Sequence, residues 1–235
     1  MKVGLILFHK KIPVIYKIDW ITLCLETLNS QTYQNFDILE CNYGQENISL
    51  CEIYDYLFKD KKKYFWHKQL KNHVHAQNFL LNKAFKEMDY DVIFNVNLDD
   101  FYSPHRFEIQ LEIIKKGYDL VSSNFTYIEE GNYNQKNLNV AYIPRNYKNR
   151  PNEYIKLKLN TGENIIAHPC VAYTRNFWEN AGEGYPDIIP KEDFMLWKRM
   201  INKGMKFFIL PHYLLFYRIH GNQITYKHKR GTYKD

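Results

Sequence analysis

The sequence predicts an α/β fold with a mostly parallel central sheet flanked by helices, and three observations carry that prediction. Short, almost wholly apolar runs such as Val3 to Phe8 and Val92 to Val96 lack the alternation of a half-exposed strand and suit strands covered on both faces. Segments with helical spacing separate these runs, and strands that alternate with helices build a parallel sheet. The chain has 235 residues and is 45% apolar, which supplies one large core.

Val3 to Phe8 makes the first strand. From Ile18 onward, Trp20, Leu23, Cys24 and Leu28 recur at helical spacing and lead to a second strand over Phe36 to Cys41, which completes a βαβ unit. A helix over 49–58, a strand over 64–67, a helix over 74–88 and the strand over 92–96 continue the alternation. Ser103 and Pro104 fit the N-cap and first turn of a helix that runs to Lys116, and a strand over 120–123 follows. From Thr126 to Asn160 the residues are rich in Asn, Tyr and Lys with little periodicity, which predicts a hairpin and a mobile loop. Beyond Ile165 the expected order is a helix from Thr174, a helix over 192–202, and strands over 207–210 and 213–217. One domain is therefore expected over 1–225, and residues 226–235 form a basic, polar tail expected to fray.

Composition narrows the class. Aromatics make up 17% of the chain, with 20 Tyr and 15 Phe, which argues against disorder and supplies rings for stacking. A net charge of +6 favours an anionic partner such as a nucleotide, a nucleic acid or an acidic lipid surface. Asn and Lys are both abundant, and no RRM, KH or helix-turn-helix signature accompanies the Lys excess, so a nucleic-acid partner is not expected. Cys24, Cys41, Cys51 and Cys170 show no metal spacing and read as core thiols of a reducing compartment. No run approaches the ~20 apolar residues of a membrane span, so no transmembrane segment is expected. Lys10-Lys11 interrupts the apolar start before it can act as a signal peptide, and the expected location is cytoplasmic.

Chemistry concentrates where the strand over 92–96 runs into Asn97-Leu98-Asp99-Asp100. Two carboxylates and an amide at the carboxyl end of a parallel strand occupy the edge where open α/β sheets bind ligands. Adjacent acids there can hold a hard divalent cation through oxygen, leaving positions for water and a diphosphate. By themselves they suit a turn and a helix cap equally well. Glu192-Asp193 likewise opens a helix, where the helix dipole favours carboxylates without any catalytic part.

Taken together, the separated segments resemble the family 2 glycosyltransferases of the GT-A fold. Asn29-Ser30-Gln31-Thr32-Tyr33 with Asn35-Phe36-Asp37-Ile38 is similar to the family's SxxxQTYxNFEI passage, and Asn78 ahead of Leu80 to Ala84 to its RNxGxxxA segment. Asn97 to Asp100, with Pro104 and Arg106 behind, resembles the DxDDxxxPxRL loop. Glu192 to Trp197 resembles EDxxLW, and Pro211 through Tyr217-Arg218-Ile219-His220 resembles PxxLxxYRxH. The match spans nearly the whole chain except 126–160.

The resemblance implies a Rossmann-like GT-A domain with a nucleotide-binding half, 1–124, and a mixed acceptor-side half, 125–225. It implies an inverting, metal-dependent transfer of a hexosyl-type sugar from a nucleotide diphosphate donor, with UDP favoured, to a glycan, protein-linked or lipid-linked acceptor. Asp99 is the implied ligand of Mn²⁺ or Mg²⁺, His220 completes its shell, and Arg218 pairs with the diphosphate. Asn97 replaces the family's first Asp; it can accept from a ribose hydroxyl or a metal-bound water but brings no charge, which lowers the expected metal affinity. Asp193 is the implied catalytic base, Glu192 its positioning partner or an acceptor contact, Asn78 a donor contact, and His168 and Trp197 acceptor-side residues. The family's acidic DDGS turn is replaced by Cys41-Asn42-Tyr43-Gly44, where Asn42 can read a base edge and Tyr43 can stack on it. His9 and Lys10 are either nucleotide contacts or surface residues, and His168 is either acceptor-facing or a turn histidine. His67, His73, His75, His105 and His212 are expected to be structural or solvated. The rival reading is a catalytically inactive GT-A-like module that binds a nucleotide sugar or a glycan.

Overall fold

In the computed structural model, which describes residues 1–10, 12, 16–45, 50–129 and 152–223, strand β1 (Val3–His9) lies inside the parallel half of the sheet. Leu5, Ile6 and Leu7 are fully buried. Val3, Leu5 and Leu7 join the core on one face and Ile6 the core on the other, as the period of two requires. β2 (Asp37–Asn42) and β4 (Val92–Asn95) flank β1 in parallel, and β3 (Lys63–His67) pairs in parallel with β2 at the edge. Beyond β4 the sheet turns mixed. β7 (Ala172–Thr174) runs antiparallel to both β4 and β6 (Leu120–Glu129), β8 (Phe207–Ile219) runs parallel to β6, and the short β5 (Phe101–Tyr102) pairs antiparallel with β8 at the far edge. The strand order β3-β2-β1-β4-β7-β6-β8-β5 is thus the mostly parallel sheet with a mixed C-terminal part that the sequence predicts.

Helices cover both faces. α1 (Ile18–Asn29), α2 (Cys51–Leu57) and α4 (Arg106–Lys115) pack on the face of Leu5 and Leu7 through Cys24, Leu25, Tyr54, Phe107 and Leu111. α3 (His73–Asn82), α5 (Asn152–Asn160), α6 (Arg175–Ala181) and α7 (Glu192–Asn202) join the core of Ile6 through Leu80, Ile155, Phe177 and Trp197. Removal of this apolar surface from water is what joins the layers. Cys24, Cys41 and Cys170 are buried free thiols, as core cysteines should be. Among the described residues no helix is long and apolar enough to cross a membrane.

Several element boundaries differ from the sequence reading, each for a local reason. The two strands expected over 207–210 and 213–217 are one strand, β8, which passes through Pro211 because its register against β6 shifts beside Ser123 and Asn124. Asn124 Nδ2 donates to the Pro211 carbonyl at 3.1 Å there, and an irregularity in the ladder tolerates a residue without an N–H. α4 begins at Arg106, because the Ser103 hydroxyl accepts from the His105 N–H at 3.4 Å and makes Ser103-Pro104 the turn before the helix. The helix expected over 74–88 ends at Asn82 and continues as a π-helical turn, Lys83–Glu87. α5 falls in the stretch read as aperiodic; its only buried side chains are Ile155 and Leu159, too few to produce a periodic signal. Most of the expected hairpin and mobile loop, 130–151, and the tail, 226–235, lie outside the described residues.

Candidate active site

β4 delivers its carboxyl end to the turn Asn97 to Asp100, where the Asp100 N–H donates to the Asn97 carbonyl at 3.3 Å. Cys24 of α1 secures the turn from below by donating its thiol to the same carbonyl at 3.4 Å. Asp100 is 1% exposed, and its carboxylate accepts the Arg218 N–H at 3.0 Å, so it ties the turn to the end of β8. That contact replaces the helix cap considered from the sequence. Burial, with the neighbouring Asp99 adding to it, pushes the Asp100 carboxyl well above the usual carboxylate range.

Asp99 is thereby left beside the last residues of β8. Its Oδ2 lies 3.0 Å from His220 Nε2, and its carbonyl accepts from Arg218 Nε at 2.9 Å. Trp20, near the start of α1, forms the floor of this corner: its ring centroid is 4.7 Å from that of His220, and the Arg218 guanidinium stands 4.9 Å from it. The 3.0 Å contact is a hydrogen bond, and its two atoms, a carboxylate oxygen and an imidazole nitrogen, are ligand types that Mg²⁺ or Mn²⁺ can take. His220 Nδ1 is buried without a hydrogen-bond partner. Among the described residues no group of three or more His, Cys, Asp and Glu could hold a metal, so an ion at this corner would take other ligands from diphosphate and water.

The residues expected around the nucleotide have mixed placements. Asn97 is half-buried, and its N–H donates to the Tyr102 hydroxyl at 2.9 Å. Asn42 is 7% exposed, and its side-chain oxygen accepts the Gly44 N–H at 3.1 Å, an arrangement that shapes the turn after β2. Tyr43 is buried in the core under α3, with Lys10 Nζ 5.4 Å from its ring centroid. His9 and Glu40 form a buried pair at 2.9 Å, so His9 is not a surface residue. Asn78 donates to the Tyr185 carbonyl and accepts the Tyr185 N–H, both at 2.9 Å. Its amide therefore braces the loop before α7.

A second centre forms at the start of α7. Asp193 is half-buried; its Oδ2 accepts from Asn164 Nδ2 at 3.0 Å and its Oδ1 from the Phe194 N–H at 2.6 Å. Burial, and then the negative charge of Glu192, push Asp193 up to about 6. Glu192 itself lies 3.1 Å from His73 Nε2 in a buried pair. Burial is the largest single effect and would raise Glu192, but the hydrogen bond and charge of His73, together with the main-chain N–H of Glu192 itself, outweigh it and hold the carboxyl below its ordinary value. His168 stands behind the acids: its Nε2 is 3.0 Å from Gln77 Nε2 and 3.2 Å from the Tyr185 hydroxyl, and burial drives its pKa down to about 4. A neutral imidazole that accepts from the Gln77 amide satisfies that contact. Trp197 is fully buried and packs 6.0 Å, centroid to centroid, from His168.

Burial, and then the negative charges of Asp100 and Asp99, raise the Tyr217 hydroxyl of β8. Tyr217 was visible only as part of the YRxH segment, and Trp20 only as a helix-face residue. His73 carries no motif of its own, but Asn72 before it caps α3 by accepting from the Val74 and His75 N–H groups, and an Asn at that place is a signal for His73 as the first helical residue. Nothing in the sequence marks Asn164.

A family model described as Glycosyl transferase family 2 matches residues 12–180. An uncharacterized glycosyltransferase of Haemophilus influenzae is 29% identical over 152 residues, 65% of this chain and 53% of the relative. An uncharacterized glycosyltransferase of Rickettsia bellii is 29% identical over 126 residues, 52% of this chain and 17% of the relative. The chain thus spans about half the length of the first relative and a much smaller share of the second. Among solved structures, S. aureus TarS 1-349 in complex with UDP-GlcNAc superposes with a TM-score of 0.66 at 12% identity, over 95% of this chain and 60% of that one. The mannosyltransferase PcManGT from Pyrobaculum calidifontis, in complex with GDP-Man and Mn²⁺, gives 0.61 at 11% identity over 89% and 54%. At these identities the likeness is one of fold.

Proposed function

The chain belongs to glycosyl transferase family 2, and from that footing we propose that it transfers a hexosyl-type sugar from a nucleotide diphosphate donor to an acceptor hydroxyl with inversion at the anomeric carbon. The observation that carries this reading is Asp193, a half-buried carboxyl lifted to about 6 and held by Asn164 and the Phe194 N–H at the start of α7. Such a group is ionised at neutral pH yet more basic than an ordinary aspartate, which suits a general base. Asp193 takes the acceptor proton as the acceptor oxygen attacks the anomeric carbon. The bond from that carbon to the diphosphate oxygen breaks with its electron pair leaving on the diphosphate, in one displacement.

Asp99 and His220 would hold a Mn²⁺ or Mg²⁺ ion, which when bound supplies Lewis-acid neutralisation of charge on the diphosphate. Arg218 adds positive charge beside that corner while its Nε fixes the Asp99 main chain. The N-terminal part, 1–124, takes the nucleotide, with Asn97 beside the Asp99 corner. The remainder, 125–225, takes the acceptor, a glycan free or linked to protein or lipid. A UDP-sugar is the proposed donor, in keeping with the UDP-GlcNAc complex of TarS, although PcManGT was captured with GDP-Man.

The rival reading, a module that binds a nucleotide sugar or glycan without transfer, draws on Asn97, which brings no charge where the family carries its first Asp. Thermal denaturation against a panel of nucleotide sugars, with and without Mn²⁺, tests donor use. A donor at about 100 times its Kd should stabilise the fold by about 2.7 kcal/mol. Stabilisation without any hydrolysis or transfer of the donor would favour the rival, and a panel with no stabilising member would reject both.

A further inference from the structure

The start of α7 is gripped from across the domain by α3 and the residues that cap it. Asn78 brackets Tyr185, Asn72 Nδ2 and Lys71 Nζ reach the Asp187 carboxylate at 2.7 and 2.5 Å, and His73 Nε2 lies 3.1 Å from Glu192 Oε1. Of these contacts the last joins two ionisable groups that are each only 8% exposed. A buried carboxylate needs a partner. The other oxygen of Glu192, Oε2, is buried and has no hydrogen-bond partner. The His73 contact is the largest of the interactions that sustain a negative charge directly beside Asp193, ahead of the main-chain N–H of Glu192 itself.

We propose that His73 is a positioning residue for the transfer: it holds Glu192 against the start of α7, and Glu192 in turn governs how readily Asp193 takes a proton. This builds on the reading of Asp193 as the base. Among the described residues, the other ionisable groups whose charge is felt at Glu192 or Asp193 include His168 in the turn before β7, Tyr173 of β7, Tyr185 in the loop before α7 and Tyr217 of β8. Burial drives His168 down to about 4 and all three phenols up, so these four are uncharged near neutral pH. Glu192 is then the charge that Asp193 feels.

The test is a carboxyl-carbon NMR titration of Asp193 in the full chain, which needs neither donor nor acceptor. His73→Phe fills the same space without a donor, so Glu192 should protonate more easily and Asp193 should titrate below about 6, toward the ordinary aspartate value near 3.9. Glu192→Gln should move it the same way, and adding His73→Phe to Glu192→Gln should change nothing further, because the coupling runs through Glu192. His73→Gln, which restores a donor, should return the titration toward that of the parent. Should His73→Phe fail to fold, His73→Asn, too short to reach Glu192, gives the same comparison. In turnover assays His73→Phe should lower kcat by about tenfold with the donor KM retained, and the acid limb of its pH profile should follow the NMR titration. An Asp193 carboxyl that titrates unchanged in both His73→Phe and His73→Asn, or that shifts equally with and without Glu192, overturns the proposal. Full transfer activity in Asp193→Asn would instead overturn the base reading and leave the measured coupling standing.

Discussion

Asp193 carries opposite consequences for activity and stability. Its pKa of about 6 means that the transfer rate should fall as pH drops below about 6, when the base becomes protonated. An unfolded aspartate titrates near 3.9, so between about pH 4 and 6 the folded chain binds the extra proton. A raised carboxyl therefore costs the fold stability as pH rises through that window, and the loss is complete above it. Asp193→Asn should lower kcat by about 10²- to 10⁴-fold with donor affinity unchanged. The same variant should be more stable at pH 8 by on the order of 2 kcal/mol, a difference that vanishes below about pH 4. Denaturant curves at the two pH values check it, and a variant less stable at pH 8 would contradict the burial argument. At the other centre, Asp99→Asn should abolish Mn²⁺-dependent UDP binding measured by calorimetry. It is a cleaner probe than Asp99→Ala, which also strips His220 of its 3.0 Å partner at a cost of about 1–3 kcal/mol. Unchanged UDP affinity in Mn²⁺ would remove Asp99 from the metal shell.

At the scale of elements, the loop before α7 is held by close packing as much as by hydrogen bonds. Gly184 adopts φ +79°, and a Cβ added there would stand 2.6 Å from Asn78 Oδ1 and 2.7 Å from Trp178. Gly184→Ala therefore pairs a left-handed backbone penalty with displacement of the amide that brackets Tyr185, and a loss of about 2–4 kcal/mol is expected in urea unfolding. A loss under about 0.5 kcal/mol would mean that the bracket yields easily. Boundaries of this kind were hard to read from the chain alone. β8 crosses Pro211 because β6 shifts register to meet it, and the partner strand is remote in sequence. α5 rests on two buried residues against α7 and β8, and so does not show as a periodic run.

For the whole molecule, the joint between the parallel and mixed halves is centred on Arg106. It is fully buried, donates to Gln110 Oε1 at 3.0 Å and to the Asn95 and Val171 carbonyls at 2.8 and 3.3 Å, and lies 4.4 Å over the Tyr102 ring. Arg106→Met preserves bulk but leaves those acceptors short of a donor, so a loss on the order of 3 kcal/mol in unfolding free energy is expected, with the Asp99 corner loosened. A melting temperature unchanged from the parent would count against that role. The fold class, the strand-helix alternation and the motif segments were legible in the sequence because they depend on local periodicity and on residue types at short spacing. The roles of His73, Asn164, Trp20 and Tyr217 were not, because each depends on a contact between elements far apart in the chain: His73 meets Glu192, Asn164 meets Asp193, and Trp20 meets His220. Protonation belongs to the same class. Sequence places two acids side by side at a helix start, but burial and a distant imidazole set one above and one below its ordinary range, and those are properties of the folded chain.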